Sequence, residues 1–300
     1  MVSIVPPRSS RKITGVIILI TALAMAAFSG ALMKLLSDAM SPFLIAWFRF
    51  TGSLLILVPI TVIRFKRSVF NSKLLFLQMS RGIILVISNI LFIKGVQEID
   101  YANAIAILYV YPFFMMVLAP LVLGEKGSLA AWLGVFGGFA GVLFVMRPDV
   151  GSFNFNSLFI LLAGLMVAIQ MLLNRLLGGK IDPFVISTWG SLVAFFVLLP
   201  TVPVVWIIPT NYQIAIIVLM AIVTSLSQTM MISAMIRAPV ILMAPFTYTE
   251  IIFAVLLGFL MFGSLPGFLQ IFGMVLIISS GILVESFRNR KQDNRRNQTF

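Results

Sequence analysis

The chain has 300 residues, of which 61% are hydrophobic and only 10% charged, against roughly 45–50% apolar and about 25% charged in average soluble domains. With a mean hydropathy of +1.12 it lacks the polar surface to coat a water-soluble globule. It also has no His and no Cys, which removes imidazole bases, thiol nucleophiles, disulfides and the usual His/Cys zinc sites.

Ten apolar spans predict ten membrane helices: 13–36, 43–63, 74–96, 101–123, 129–146, 156–177, 184–207, 212–235, 241–262 and 266–285, most of them near the roughly 20 residues that a hydrocarbon core of about 30 Å requires. Arg8, Arg11 and Lys12 precede the first span and Ala22-Leu23-Ala24 imitates a signal-peptide cleavage site, but the apolar stretch exceeds the usual length of about 7–15 residues, so it is read as a retained helix. The net charge of +12 does not point to nucleic acid, because the basic residues lie in short segments beside the spans. With the amino terminus cytoplasmic, sixteen of the 21 Lys and Arg fall on that side, three on the other, and Arg49 and Arg81 inside spans. The positive-inside rule then places both termini in the cytoplasm. The basic tail after Glu285 reads as an anchor to anionic lipid.

An internal repeat organises the spans. A shift of 141 residues aligns Lys34-Leu35-Leu36 with Arg175-Leu176-Leu177 and Pro42-Phe43 with Pro183-Phe184; a shift of 139 aligns Ser88 with Ser227, Tyr109 with Tyr248, Gly124 with Gly263 and Gly134 with Gly273. Five helices per copy is an odd number, so the copies insert in opposite orientations. The expected fold class is therefore all-α, a polytopic membrane protein with ten transmembrane helices in two inverted five-helix repeats. The expected boundaries are a tail over 1–12, repeats over 13–147 and 156–285, a linker over 148–155 and a basic tail over 286–300. Inverted repeats are a hallmark of secondary transporters, which hold substrate near the midplane and alternate access between the halves.

Glu250 lies roughly 14 Å into the ninth span at 1.5 Å per residue, where an ionised side chain costs at least about 2.5–3.5 kcal/mol. It reads as a protonatable or cation-facing group, or as a tie between helices. Arg49 and Arg81, each roughly 9–11 Å from a membrane end, offer bidentate donors to a substrate anion or lock helices through carbonyl bonds. Gln228, Thr247, Asn103, Tyr109 and Tyr111 mark a polar path, although such residues also serve as interhelical glue. The tyrosines offer faces to a planar or cationic ligand. Pro112 and Pro245, inside the fourth and ninth spans, predict kinks and hinges. Gly134-x-x-x-Gly138 and Gly137-x-x-x-Gly141 favour close helix contact, inside a monomer or across a homodimer. Neither a metal site, nor a cofactor site, nor a catalytic constellation is expected.

The segment KLLSDAMSPFLIAWFRF over 34–50, Arg81 in SRG, YANAIAILYVYPFF from Tyr101, the Leu123-Gly124-Glu125 turn, GFAGVLFVMRP over 138–148 and RAPVILMAPFTYTEIIFAVLLGFLMFGSLP over 237–266 together resemble the ten-helix drug/metabolite transporter superfamily with two EamA domains, in its bacterial metabolite-transporter branch. That resemblance implies a multi-pass protein of the bacterial inner membrane, acting on a small molecule such as an amino-acid derivative, S-adenosylmethionine or riboflavin. A non-transporting scaffold or an intramembrane enzyme are the other classes to weigh. The chain departs from the family in two respects: Glu125 occupies the turn between the last two helices of the first repeat while Ser264 stands at the equivalent place in the second, and the tenth span carries no Lys or Arg in its core, unlike relatives that handle nucleotide sugars or sugar phosphates.

Overall fold

The computed structural model describes residues 9–37, 39–65, 74–95, 105, 107–125, 127–146, 155–263 and 267–297. Among these the chain is all-α apart from one isolated bridge between Gly178 and Ile181. The ten principal helices are α1 (Ser9–Ser37), α2 (Pro42–Phe65), α3 (Leu75–Gly95), α4 (Tyr111–Leu123), α5 (Leu129–Met146), α6 (Phe155–Leu177), α7 (Pro183–Leu198), α8 (Asn211–Arg237), α9 (Thr249–Phe262) and α10 (Phe268–Asn297). Seven helical stretches among the described residues are long and apolar enough to cross a membrane, and Tyr111–Leu123, Leu129–Val145 and Phe268–Leu283 are shorter apolar helices. This is a polytopic membrane protein. The last helix runs on to Asn297, beyond the apolar stretch that predicted it.

Local signals explain the helix ends. Pro183 opens α7 behind Asp182, whose carboxylate accepts from the Phe184 amide at 2.9 Å, a capped start with proline where no amide partner is needed. Thr210 and Gln213 form a reciprocal capping box at the start of α8. Helices α4 and α9 end at Gly124 and Gly263, with φ of 67° and 69°, a left-handed conformation that glycine adopts without strain. The two glycines are 139 residues apart, the same shift that relates the repeats.

Packing obeys the same relation. Helix α1 lies on α8 and α9, as α6 lies on α3 and α4; α2 packs on α8, as α7 packs on α3; α2 meets α7 and α5 meets α10. Exchanging α1–α5 for α6–α10 maps this set onto itself. Single hydrogen bonds repeat too: Ser227 Oγ donates to the Ala22 carbonyl at 2.8 Å, and Ser88 Oγ donates to the Ala163 carbonyl at 3.2 Å. Ser88 becomes Ser227 under the shift of 139, and Ala22 becomes Ala163 under the shift of 141. On the axis of this exchange α5 and α10 approach until backbones touch. A Cβ on Gly141 would lie 2.6 Å from the Gly273 carbonyl oxygen, and one on Gly273 would lie 2.5 Å from that of Gly141.

Gly141→Val therefore has to separate α5 from α10. The expected outcome is a loss of about 1–3 kcal/mol, the usual range for overpacking, read as a lower thermal-unfolding midpoint in detergent. Gly30→Ala, where an added Cβ meets nothing within 4 Å, leaves the midpoint unchanged or raises it.

Candidate functional site

The fourth and ninth spans change helical geometry along their length. In the ninth, a short turn Val240–Met243 leads into a 3-10 segment Ala244–Tyr248 before α9 begins. In the fourth, a turn at Tyr109 and Val110, closed by bonds from Tyr109 N to Ile105 O and Val110 N to Ile107 O, precedes α4. Pro112 sits in the first turn of α4 and Pro245 at the start of the 3-10 segment, positions where a missing amide costs nothing. Each proline thus sits where the span passes between α-helical and tighter geometry, and Pro245 lies within a helical stretch that runs continuously from Val240 to Met261. The longer 3-10 rise of about 2.0 Å per residue carries Glu250 to roughly 16 Å from Ile241, near the middle of the bilayer.

Both segments place polar side chains at the junction of the halves. Tyr109 lies within reach of the Glu250 carboxylate, and Tyr111 lies within reach of Thr247, whose Oγ1 donates to the Ala244 carbonyl at 2.6 Å. The Tyr109 ring centroid is 5.8 Å from that of Tyr111 and 6.1 Å from that of Tyr248. All three tyrosines and Thr247 are buried, while Glu250 keeps part of its surface accessible. The Tyr248 hydroxyl is buried without a hydrogen-bond partner, a state rare enough in a folded protein to ask for a ligand or water. Arg49 faces the group from α2, close enough to interact electrostatically with Glu250. Its Nε donates to Thr224 Oγ1 at 3.1 Å and its Nη1 to Met33 Sδ at 3.5 Å. Thr224 in turn shares a hydrogen bond of 2.7 Å with Ser29.

Arg49, Tyr109, Tyr111, Thr247 and Glu250 are thus brought together. Gln228 lies one helical turn beyond Thr224 on α8, its Oε1 buried and without a partner. Arg81 makes different contacts: Nε donates to Asn174 Oδ1 on α6 and Nη1 to the Ile186 carbonyl on α7 at 3.3 Å, and the side chain is 1% exposed. Asn103 lies outside the described residues. Trp47 packs with Phe48, Phe195 and Trp206, away from the tyrosines. The site also draws on Tyr248, Ser29 and Met33. The shift that pairs Tyr109 with Tyr248 was the signal for the first; nothing in the sequence marks the other two. Gly138 on α5 belongs here as well, because a Cβ there would lie 2.3 Å from Tyr248 Cδ2.

The chain matches the EamA-like transporter family twice, over residues 13–147 and 154–285. It belongs to that family. Among curated relatives of this EamA-like protein, an S-adenosylmethionine uptake transporter of Rickettsia conorii is 23% identical over 287 residues, covering 96% of this chain and 97% of that one. A riboflavin transporter of Rhizobium johnstonii is 26% identical over 209 residues, covering 67% and 68%. A protein of known crystal structure superposes with a TM-score of 0.79 at 18% identity, over 94% of this chain and 99% of its own, a likeness of fold. The family and these relatives support a transporter of small metabolites.

Gly138→Ala in this EamA-like protein displaces the Tyr248 ring or the α5 backbone. Transport is expected to fall about 10- to 100-fold, the scale on which misplacements of about 1 Å act. Gly137→Ala, whose Cβ would meet only Ser280 Cβ at 3.3 Å, is expected to keep most of it. Solute exchange across proteoliposomes containing either variant is the measurement.

Proposed function

We propose that this protein is a secondary transporter that moves a zwitterionic metabolite of the amino-acid-derivative class across the bacterial inner membrane, with both termini cytoplasmic. The observation that carries the reading is that one cation, Arg49, and one carboxylate, Glu250, lie within electrostatic range of each other beside three tyrosine rings, where the tighter segments of two spans from opposite repeats face each other. Inverted-repeat interfaces near the midplane are where such carriers bind substrate.

The chemistry follows from the groups. A substrate carboxylate takes the guanidinium fork of Arg49, which suits planar bidentate anions. A substrate ammonium or sulfonium takes Glu250 and the tyrosine faces, which attract cations through the ring quadrupole. The buried Tyr248 hydroxyl and the Gln228 amide oxygen are open to the polar body of the ligand, and Asn103 belongs to the same path by its place in the fourth span. When substrate leaves, Glu250 returns to Arg49 or takes a proton, so that transport proceeds by exchange or by proton coupling. The changes of helical geometry at Pro112 and Pro245 serve as hinges on which the halves rock between the two openings. Relatives named for S-adenosylmethionine uptake carry a substrate of this class, being both zwitterionic and a sulfonium.

The test is counterflow in proteoliposomes preloaded with S-adenosylmethionine, methionine or riboflavin. A zwitterion is expected to exchange, and Glu250→Gln and Arg49→Met are each expected to slow it about 30-fold or more, the lower end of the cost of stranding one partner of a buried charge pair. Exchange of riboflavin alone, or zwitterion exchange untouched by both substitutions, contradicts the assignment.

A further inference from the structure

The two deep guanidiniums come to rest beside equivalent positions of the two repeats. Arg49 Nη1 donates to Met33 Sδ on α1 at 3.5 Å, and Arg81 Nε donates to Asn174 Oδ1 on α6. The shift of 141 carries position 33 onto position 174 and Arg49 onto Gly190, and the Arg81 guanidinium lies against Gly190. Each repeat thus builds one niche for a guanidinium between its first and second helices. In the first repeat the arginine grows from the wall of the niche, on α2. In the second it enters from α3, and the wall carries glycine.

What differs between the niches is the acceptor. Oδ1 of asparagine and Sδ of methionine both sit on Cγ, so positions 174 and 33 hold their acceptor atoms at a similar reach. An amide oxygen accepts strongly and a thioether weakly. Asn174 and the Ile186 carbonyl, the second at 3.3 Å, therefore hold Arg81 firmly, and Arg81 and Asn174 are each 1% exposed. Met33 gives Arg49 a soft, polarizable wall instead, and both residues are half-buried. The firm bond of Arg49 runs from Nε to Thr224 Oγ1 at 3.1 Å. That leaves the Nη1–Nη2 edge, which can meet a carboxylate side-on, with only the thioether as its hydrogen-bond partner among the described residues.

We propose that Met33 is a positioning residue that sets the selectivity of this carrier for a substrate carboxylate: it places the Arg49 fork without occupying it. The proposal rests on the transport reading given above. An oxygen at this position would hold the guanidinium as Asn174 holds Arg81, and the substrate carboxylate would have to displace it before binding. That competition weakens binding of the anionic group throughout the cycle, so it raises KM and leaves kcat almost unchanged. A ligand without a carboxylate does not compete for the fork and is unaffected.

The test is counterflow in proteoliposomes with S-adenosylmethionine and methionine, each beside an analogue without the carboxylate, decarboxylated S-adenosylmethionine and methionine amide. Met33→Asn is expected to raise KM for the zwitterion about tenfold, to keep kcat within about twofold, and to remove most of the preference over the analogue. Met33→Leu, which fills the space and offers no acceptor, is expected to keep the parent KM and preference. Should Met33→Asn not fold, Met33→Gln, with its oxygen one bond further out, is expected to give the same split. A KM unmoved by the introduced oxygen, a fall in kcat that strikes zwitterion and analogue alike, or equal damage from Met33→Leu overturns the proposal. Absent zwitterion exchange in the parent protein refutes the transport reading as well, and exchange indifferent to Arg49→Met refutes the carboxylate assignment. Exchange that needs Arg49 and ignores Met33→Asn refutes only the role of Met33.

Discussion

Lipid tails are as apolar as leucine, so no hydrophobic force presses one helix of this protein against another, and close backbone approach and interhelical hydrogen bonds must hold the halves together. Every other feature is arranged around that constraint. Gly141 and Gly273 let α5 and α10 meet carbonyl to α-carbon, and Ser88 and Ser227 each reach across to a carbonyl of the other half. Each half thus grips the other by the same bond, worth about 0.6 kcal/mol in a membrane setting.

Chemistry collects where the equivalence fails. Under the repeat shifts Glu250 corresponds to Tyr111, Arg49 to Gly190, Arg81 to Met220 and Asn174 to Met33. Gly190 is kept small because the Arg81 guanidinium lies against it; an added Cβ would be 2.5 Å from Nη1. Both deep arginines belong to the first repeat, one delivered from α2 and the other from α3. One lies near the tyrosines and Glu250, and the other ties α3 to α6 and α7. Met33, the counterpart of Asn174, is the thioether that Arg49 touches.

Much of this was legible in the sequence. Ten apolar spans and a nearly constant shift give the architecture, because lipid leaves the backbone few options and a duplication preserves small residues wherever helices touch. Glu250, Tyr109, Tyr111 and Thr247 could be singled out because polar groups at that depth are costly. The local geometry was not legible: a proline inside an apolar run reads as a kink, and only the fold shows the 3-10 segment that begins at Ala244 and Pro245. Nor could spacing say which arginine joins Glu250. Arg49 and Arg81 lie at similar depths, and their partners come from helices distant in sequence. Ser29 and Met33 carry no signal, being ordinary residues on an apolar helix that acquire a role only because α8 brings Thr224 to them.

The two arginines are best separated by what satisfies them. Arg81 donates to an amide oxygen and a backbone carbonyl, strong acceptors fixed by α6 and α7. Its charge is spread over the dipoles of the frame, and moving it would undo three helices at once. Arg49 donates to a hydroxyl and a thioether, the second a weak acceptor, which leaves most of its donor fork to be answered by something charged. Glu250 stands in the complementary position, with Tyr109 within reach and a cation nearby. A buried ion satisfied by fixed dipoles suits a structural role, whereas a cation and a carboxylate that only partly satisfy one another suit the substrate site proposed above.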